Sequence, residues 1–144
     1  MLDDDQVERY ARQIVVPGIG AAGQEKLLHS TVLVVGHPRG CATAALYLRA
    51  AGVTVSAQAG DADLVVVCDR SVIDESELSA MADLGKPVCW YVIESDGVAC
   101  GVHPGESLPP PRPPASGNDG IHDAAACEAA ALACAVLTGL LQRQ

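Results

Sequence analysis

The side chains best suited to chemistry in this chain are six cysteines, four histidines and a Trp-Tyr pair. Cys41, Cys68, Cys89, Cys100, Cys127 and Cys134 lie in apolar stretches, and none forms a C-x-x-C pair. That spacing offers no zinc knuckle and no dithiol motif, so buried, reduced thiols of a cytosolic protein are the expectation. Cys127 and Cys134 share one face of a predicted helix, where packing outweighs metal binding. His29, His37, His103 and His122 show no ligand spacing and read as surface or loop residues. Trp90 and Tyr91 fall together on a predicted strand, as core or interface residues rather than a stacking site.

The elements that must position these residues come from hydrophobic patterning. Asp3 to Ile14 reads as a helix with acidic residues in its first turn. Pro17-Gly18-Ile19-Gly20 breaks it, and Ala21 to Leu28 resumes as a short helix. TVLVVG (31–36) and DADLVVVCD (61–69) are apolar, β-branched runs of the kind buried in parallel sheets. Between them lie a helix, Ala42 to Ala51, closed by Gly52, and a short strand, Val53 to Ala57. Ile73 to Leu84 is a helix capped by Gly85, Pro87 to Ile93 a third buried strand, and Ser95-Asp96-Gly97 a turn returning Val98 to Val102 as a hairpin partner. PGESLPPPRPPASGNDG (104–120) is a Pro/Gly-rich connector, and Ile121 to Leu141 closes the chain as an apolar helix. Strand and helix alternate, which predicts an α/β fold: an incomplete Rossmann-like, mostly parallel sheet flanked by helices, with a C-terminal antiparallel hairpin. One domain spans 1–144, as N-terminal helices (1–30), sheet core (31–103), loop (104–120) and last helix (121–144).

Composition limits the function classes. Hydrophobic residues make up 49% and aromatics only 3%, with no Phe, so the core must be built from Val, Leu, Ile and Ala. A net charge of -9 argues against nucleic-acid and anionic-membrane partners, which reward Lys and Arg. The polar, acidic N-terminus is no signal peptide, and Glu128 within the Ala-rich last helix favours a buried helix over a membrane span. A cytoplasmic protein is the expectation.

Four stretches, in order, resemble the ThiF/MoeB/HesA family, the enzymes that adenylate ubiquitin-like proteins. ERYARQIVVPGIGAAGQEKLLHSTVLVVG is similar to the family's N-terminal helices and first strand, and AALYLRAAGV to the helix after its nucleotide loop. ADLVVVCD followed by LGKPVCWYVIESDGVACGVHPG resembles its later strand, helix and hairpin block, and AACEAAALACAVLTGL its last helix. The resemblance implies binding of ATP and magnesium and activation of a C-terminal carboxylate on a small partner protein. That chemistry needs oriented N–H donors and cations around the phosphates.

Much of that machinery has no counterpart here. The glycine fingerprint positions of the family's nucleotide loop fall on Gly36, Pro38 and Cys41; Pro38 has no N–H to donate and Cys41 adds a Cβ where close packing is wanted. Gly36 and Arg39 are what remains for a phosphate. The long segment that carries the family's ribose acid and its Asn/Arg/Lys set is absent between Ala57 and Asp61, and Asp61 reads as a turn or cap rather than a substitute acid. The zinc-binding cysteine pairs and the transfer cysteine of many members are missing as well. Two positions match: Asp69, at the family's magnesium-binding Asp or else a polar strand-end residue facing solvent, and Arg12, at an arginine that acts across a dimer interface or else an exposed helix residue. The resemblance thus points to a non-catalytic homodimer, or heterodimer with a full-length relative, serving ubiquitin-like-protein activation or sulfur transfer. The alternative is an active ATP-dependent adenylyltransferase of a ubiquitin-like or sulfur-carrier protein, with a rebuilt or shared site. No cofactor is expected, with ATP and magnesium the ligands of any residual site. A module that binds a small molecule or a ubiquitin-like protein is a third reading.

Overall fold

In the computed structural model, residues 1–94, 97–103 and 119–139 are described. The chain opens with α1 (Asp4–Arg9) and α2 (Ala11–Ile14). Asp3 starts α1 through a reciprocal capping box with Gln6, satisfying two otherwise unpaired backbone donors. The single helix expected over 3–14 is interrupted at Tyr10, whose backbone leaves the helical region and whose side chain is buried. Burying this large aromatic against Gly52 outweighs the continuation of an exposed helix. Then come α3 (Gly20–Leu28) and β1 (Thr31–Gly36). The next helix, α4, runs Pro38–Ala50 and starts four residues before the expected Ala42, because proline at its first position needs no N–H partner.

The remaining elements are β2 (Thr54–Ser56), a 3-10 turn at Ala59–Asp61, β3 (Leu64–Cys68), a 3-10 turn at Arg70–Val72, α5 (Glu75–Ala82), β4 (Val88–Glu94), β5 (Gly97–His103) and α6 (Asp119–Thr138). Asp74 caps α5 by accepting from the Glu77 N–H at 2.8 Å, so that helix starts two residues after the expected Ile73. Ser95 and Asp96 of the expected turn and residues 104–118 of the expected 104–120 connector lie outside the described residues; α6 starts at Asp119, before the expected Ile121, and ends at Thr138, before the expected Leu141, where Gly139 takes φ +78.

One five-stranded sheet results, in the order β2-β1-β3-β4-β5, parallel except for the β4–β5 hairpin. The strands are apolar on both faces because both are covered. Val32, Leu64, Val66, Cys68, Cys89, Tyr91 and Ile93 face α4 and α6; Leu33, Val65, Val67, Val88, Trp90 and Val92 pack on the other side with Ile73 and Leu78. The α6 surface in the core is Ala125, Ala126, Ala129, Ala130 and Ala133. A buried alanine contributes about 0.8 kcal/mol for its one methyl, against roughly 1.5–3 kcal/mol for a leucine. What the alanines add is proximity, letting α6 lie close on both the sheet and α4. Helix α6 is long and apolar enough to cross a membrane, but it carries buried residues against the sheet.

The passage from β2 to β3 is unusually brief. A parallel crossover normally takes a dozen or more residues, generally including a helix. Here residues 57–63 pass β1 with one 3-10 turn, placing Ala62 in the same apolar cluster as Leu33 and Ala59 against it. Asp63 anchors the arrival: its carboxylate accepts from the Thr31 N–H at 2.8 Å, and its own N–H donates to Thr31 O at 2.8 Å. Asp61 is exposed within the 3-10 turn, as a turn residue.

At the far end of β1, Gly36 has φ +121, and a Cβ there would meet Cys68 O at 2.0 Å. Gly36→Ala should lower the unfolding free energy by about 3 kcal/mol, since steric overlap and backbone strain act together. Gly85→Ala, at φ +68 with open space around it, should cost about 1 kcal/mol. Urea denaturation of the two variants checks the contrast.

Candidate functional site

The C-terminal ends of β1, β3 and β4 converge on the start of α4 and the first turns of α6, the position where open α/β sheets bind ligands. Gly36 is glycine because β3 approaches it: the His37 N–H donates to Cys68 O at 2.8 Å, which requires the Gly36 backbone to turn without a side chain. Gly40, in the first turn of α4, is equally confined. A Cβ there would lie 2.0 Å from the Tyr91 hydroxyl and 3.0 Å from Cys68 Cβ. Tyr91 is fully buried on β4, and its hydroxyl is hydrogen-bonded to His122 Nδ1 at 3.0 Å. The ring of His122 stacks on His37 with centroids 3.7 Å apart and planes 6° from parallel. His122 is therefore buried on α6 and not a surface or loop histidine, whereas His37 is a half-buried loop residue at the N-cap of α4. Sequence spacing could not reveal the pair, because one ring comes from the loop before α4 and the other from α6, far apart in the chain.

Arg39 points to α6. Its guanidinium donates from Nε and Nη2 to the two carboxylate oxygens of Asp123, each at 2.8 Å, and Thr43 donates to the same carboxylate at 2.6 Å. Hydrogen bonds from Arg39 and Thr43 hold the Asp123 carboxyl at about 2, and the same pairing raises the Arg39 pKa. Burial and the neighbouring His37 push His122 below its ordinary value, so its neutral form is favoured. The cation that a phosphate would meet is engaged within the fold, and Pro38 offers no donor beside it.

Asp69 is 3% exposed, not a strand-end residue facing solvent. It is the one non-glycine with positive φ among the described residues (φ 59), a conformation asparagine and aspartate tolerate best. Its carboxylate accepts from the Ser71 hydroxyl at 2.6 Å and the Ser71 N–H at 3.2 Å, capping the 3-10 turn. Arg70 behind it is 1% exposed and reaches Ile73 O and the Glu75 carboxylate, each at 2.7 Å. Arg12 lies apart from this cluster, exposed on α2 and without an ion-pair partner among the described residues. Gly36, Arg39 and Asp69 are thus brought to one end of the sheet, and Arg12 is not. Residues that can hold a metal do not cluster in threes among the described residues. Pro38, the Arg39–Asp123 pair and the Gly40–Tyr91 contact occupy the loop position.

All six cysteines are free, two of them buried and four half-buried. Burial pushes Cys89 up to about 12 and Cys134 to about 11, whereas Cys41 is lowered by a hydrogen bond from Cys68.

Two outcomes follow from this geometry. Gly40→Ala should destabilise the protein, and Tyr91→Phe should cost less in that background than in the wild type, by about 1 kcal/mol or more, because it removes the clashing oxygen. A double-mutant cycle by denaturant unfolding measures this. On acidification, stability should fall first below about 6.5, as the unfolded state protonates His122 more readily than the folded one. It should fall again between about 4 and 2, as Asp123 loses the charge that its depressed folded pKa protects. Asp123→Asn should flatten the second step, read as unfolding free energy against pH.

No family model matches the chain. Among curated proteins, a probable adenylyltransferase/sulfurtransferase MoeZ of Mycobacterium tuberculosis is 36% identical over 90 residues, covering 59% of this chain and 21% of MoeZ. The vegetative HesA protein of Trichormus variabilis is 50% identical over 52 residues, covering 36% of this chain and 20% of HesA. The adenylyltransferase and sulfurtransferase MOCS3 of Dictyostelium discoideum is 42% identical over 52 residues, covering 36% of this chain and 12% of MOCS3. The chain therefore spans at most about a fifth of the curated relatives it matches. The crystal structure of SeMet PaaA superimposes with a TM-score of 0.67 over 99% of this chain and 68% of that one, at 14% identity, which is likeness of fold alone. By sequence the chain is similar over part of its length to proteins of the ThiF/MoeB/HesA family, and its sheet is Rossmann-like.

Proposed function

We propose that this chain acts by association, as a non-catalytic dimerising or helper subunit in the activation of a ubiquitin-like protein or in sulfur transfer. The observation that carries this reading is the engagement of the nucleotide-loop position by the chain's own α6: Arg39 is tied to Asp123 and His37 is stacked on His122. A triphosphate at that place would have to displace a bidentate ion pair, and Pro38 would give it no backbone donor in return. The brief passage over 57–63 supports the same reading, since it replaces the longer family segment that holds the ribose acid. The names of MoeZ and MOCS3 suggest adenylation and sulfur transfer as the setting. Arg12, exposed on α2, is available to reach a partner, either a second copy or a full-length relative. The cytoplasm is the compartment that suits free thiols throughout.

Calorimetric titration with ATP and magnesium tests this. No binding at millimolar nucleotide is the expected result, together with a dimer, or a complex with a full-length relative, by sedimentation. Saturable binding that Asp69→Ala or Arg12→Ala abolished would overturn the reading in favour of an active adenylyltransferase with a rebuilt site.

A further inference from the structure

The first turns of α6 meet the start of α4 through contacts that centre on one imidazole. His122 is 4% exposed, and its ring lies flat on that of His37 with centroids 3.7 Å apart. Its Nδ1 is 3.0 Å from the hydroxyl of Tyr91, which is fully buried on β4. One residue on, Asp123 accepts from the Arg39 guanidinium and the Thr43 hydroxyl. The rest of α6 is held differently, by Ala125, Ala126, Ala129, Ala130 and Ala133 in the apolar core. We propose that His122 is the proton-sensitive catch of a local latch. As a neutral ring it holds the first turns of α6 on α4; on mild acidification it takes up a proton and releases those turns, uncovering Arg39 and the loop position while the sheet stays folded.

Burial keeps the phenolic proton on Tyr91, and with hydrogen on Nε2 the neutral His122 ring accepts from that hydroxyl at Nδ1. The imidazolium carries N–H on both nitrogens and accepts at neither, so the Tyr91 proton loses its acceptor. The hydroxyl oxygen cannot retreat toward α4, because a Cβ on Gly40 would already lie 2.0 Å from it. A buried donor left without a partner is costly, and moving the α6 turn away relieves it. The charged and titratable groups facing the ring are His37 and Arg39 from the start of α4, Asp69 from the end of β3, Tyr91 from β4 with Cys41 and Cys68 beside it, and Asp119 and Asp123 from α6 itself. The carboxylates favour a cation, but Asp123 is engaged by Arg39 and Asp69 by Ser71. Burial and His37 outweigh them and hold closed His122 below its ordinary value. The open form therefore binds the proton more tightly. Closure is fully favoured above about 6.5 and weakens as pH falls below it, by at most about tenfold per pH unit for one proton.

An NMR titration of the full chain from neutral pH to about 5 tests the latch. The His122 ring and the backbone amides of residues 119–126 should shift together, with one midpoint below about 6.5. Ring nitrogen shifts at neutral pH should place the His122 hydrogen on Nε2. Trp90, the chain's one tryptophan, packs on the opposite face of the sheet, and its indole signal should stay native, as should the amides of β1 and β3. At the acid end, the amides of 123–126 should exchange with solvent at least about tenfold faster than those strands, each relative to its intrinsic rate. His122→Asn offers the Tyr91 hydroxyl an acceptor that does not titrate, and it should keep the neutral-pH spectrum of these turns throughout. A ring that titrates without moving residues 119–126, one that stays neutral to about pH 5, a hydrogen on Nδ1, or loss of the strand signals in the same step each overturns the proposal. The wild-type spectra decide this even where the asparagine variant does not fold.

Discussion

Everything at the functional end of the sheet depends on how closely β1 and β3 approach at their C-terminal ends. Gly36 stands opposite Cys68 in register, and at φ +121 it leaves no room for a side chain beside Cys68 O. That approach lets the His37 N–H bond to Cys68 O, which starts α4 at Pro38 and sets Gly40 beneath the Tyr91 hydroxyl. Displacing any one of these backbones would move the others, because each contact is already at van der Waals or hydrogen-bond distance.

The second constraint is the alanine surface of α6. A helix with larger inward residues would stand farther from the sheet, and Asp123 would no longer reach Arg39 or Thr43 from its second turn. Small side chains contribute less apolar burial, so the joint between α4 and α6 relies in part on polar contacts. Some of these, such as Arg39–Asp123, are exposed and individually modest. Others, such as Tyr91 with His122, are buried and must be satisfied.

The brief crossover and the filled loop are consistent with each other. Residues 57–63 make only a short passage from β2 to β3, and α6 brings His122 and Asp123 to the start of α4. The sheet is held by apolar residues on both faces, which do not depend on what the loops bind.

The β-branched runs of β1 and β3 and the turn signals around β4 and β5 were legible in the sequence, since period and composition are local properties. The mostly parallel sheet with its final hairpin followed from them. The break at Tyr10 and the start of α4 at Pro38 were not, because each is settled by a contact with a distant element. The same holds for the site. Gly36, Arg39 and Asp69 could be picked out by type and position, but no local pattern gives the pairing of Arg39 with Asp123 or the turn that buries Asp69 on Ser71. The sequence by itself determined which strands are buried and where glycine is required. Only the tertiary structure decided which partner each polar group has, because those pairings join residues remote in the chain and depend on the distance α6 keeps from the sheet.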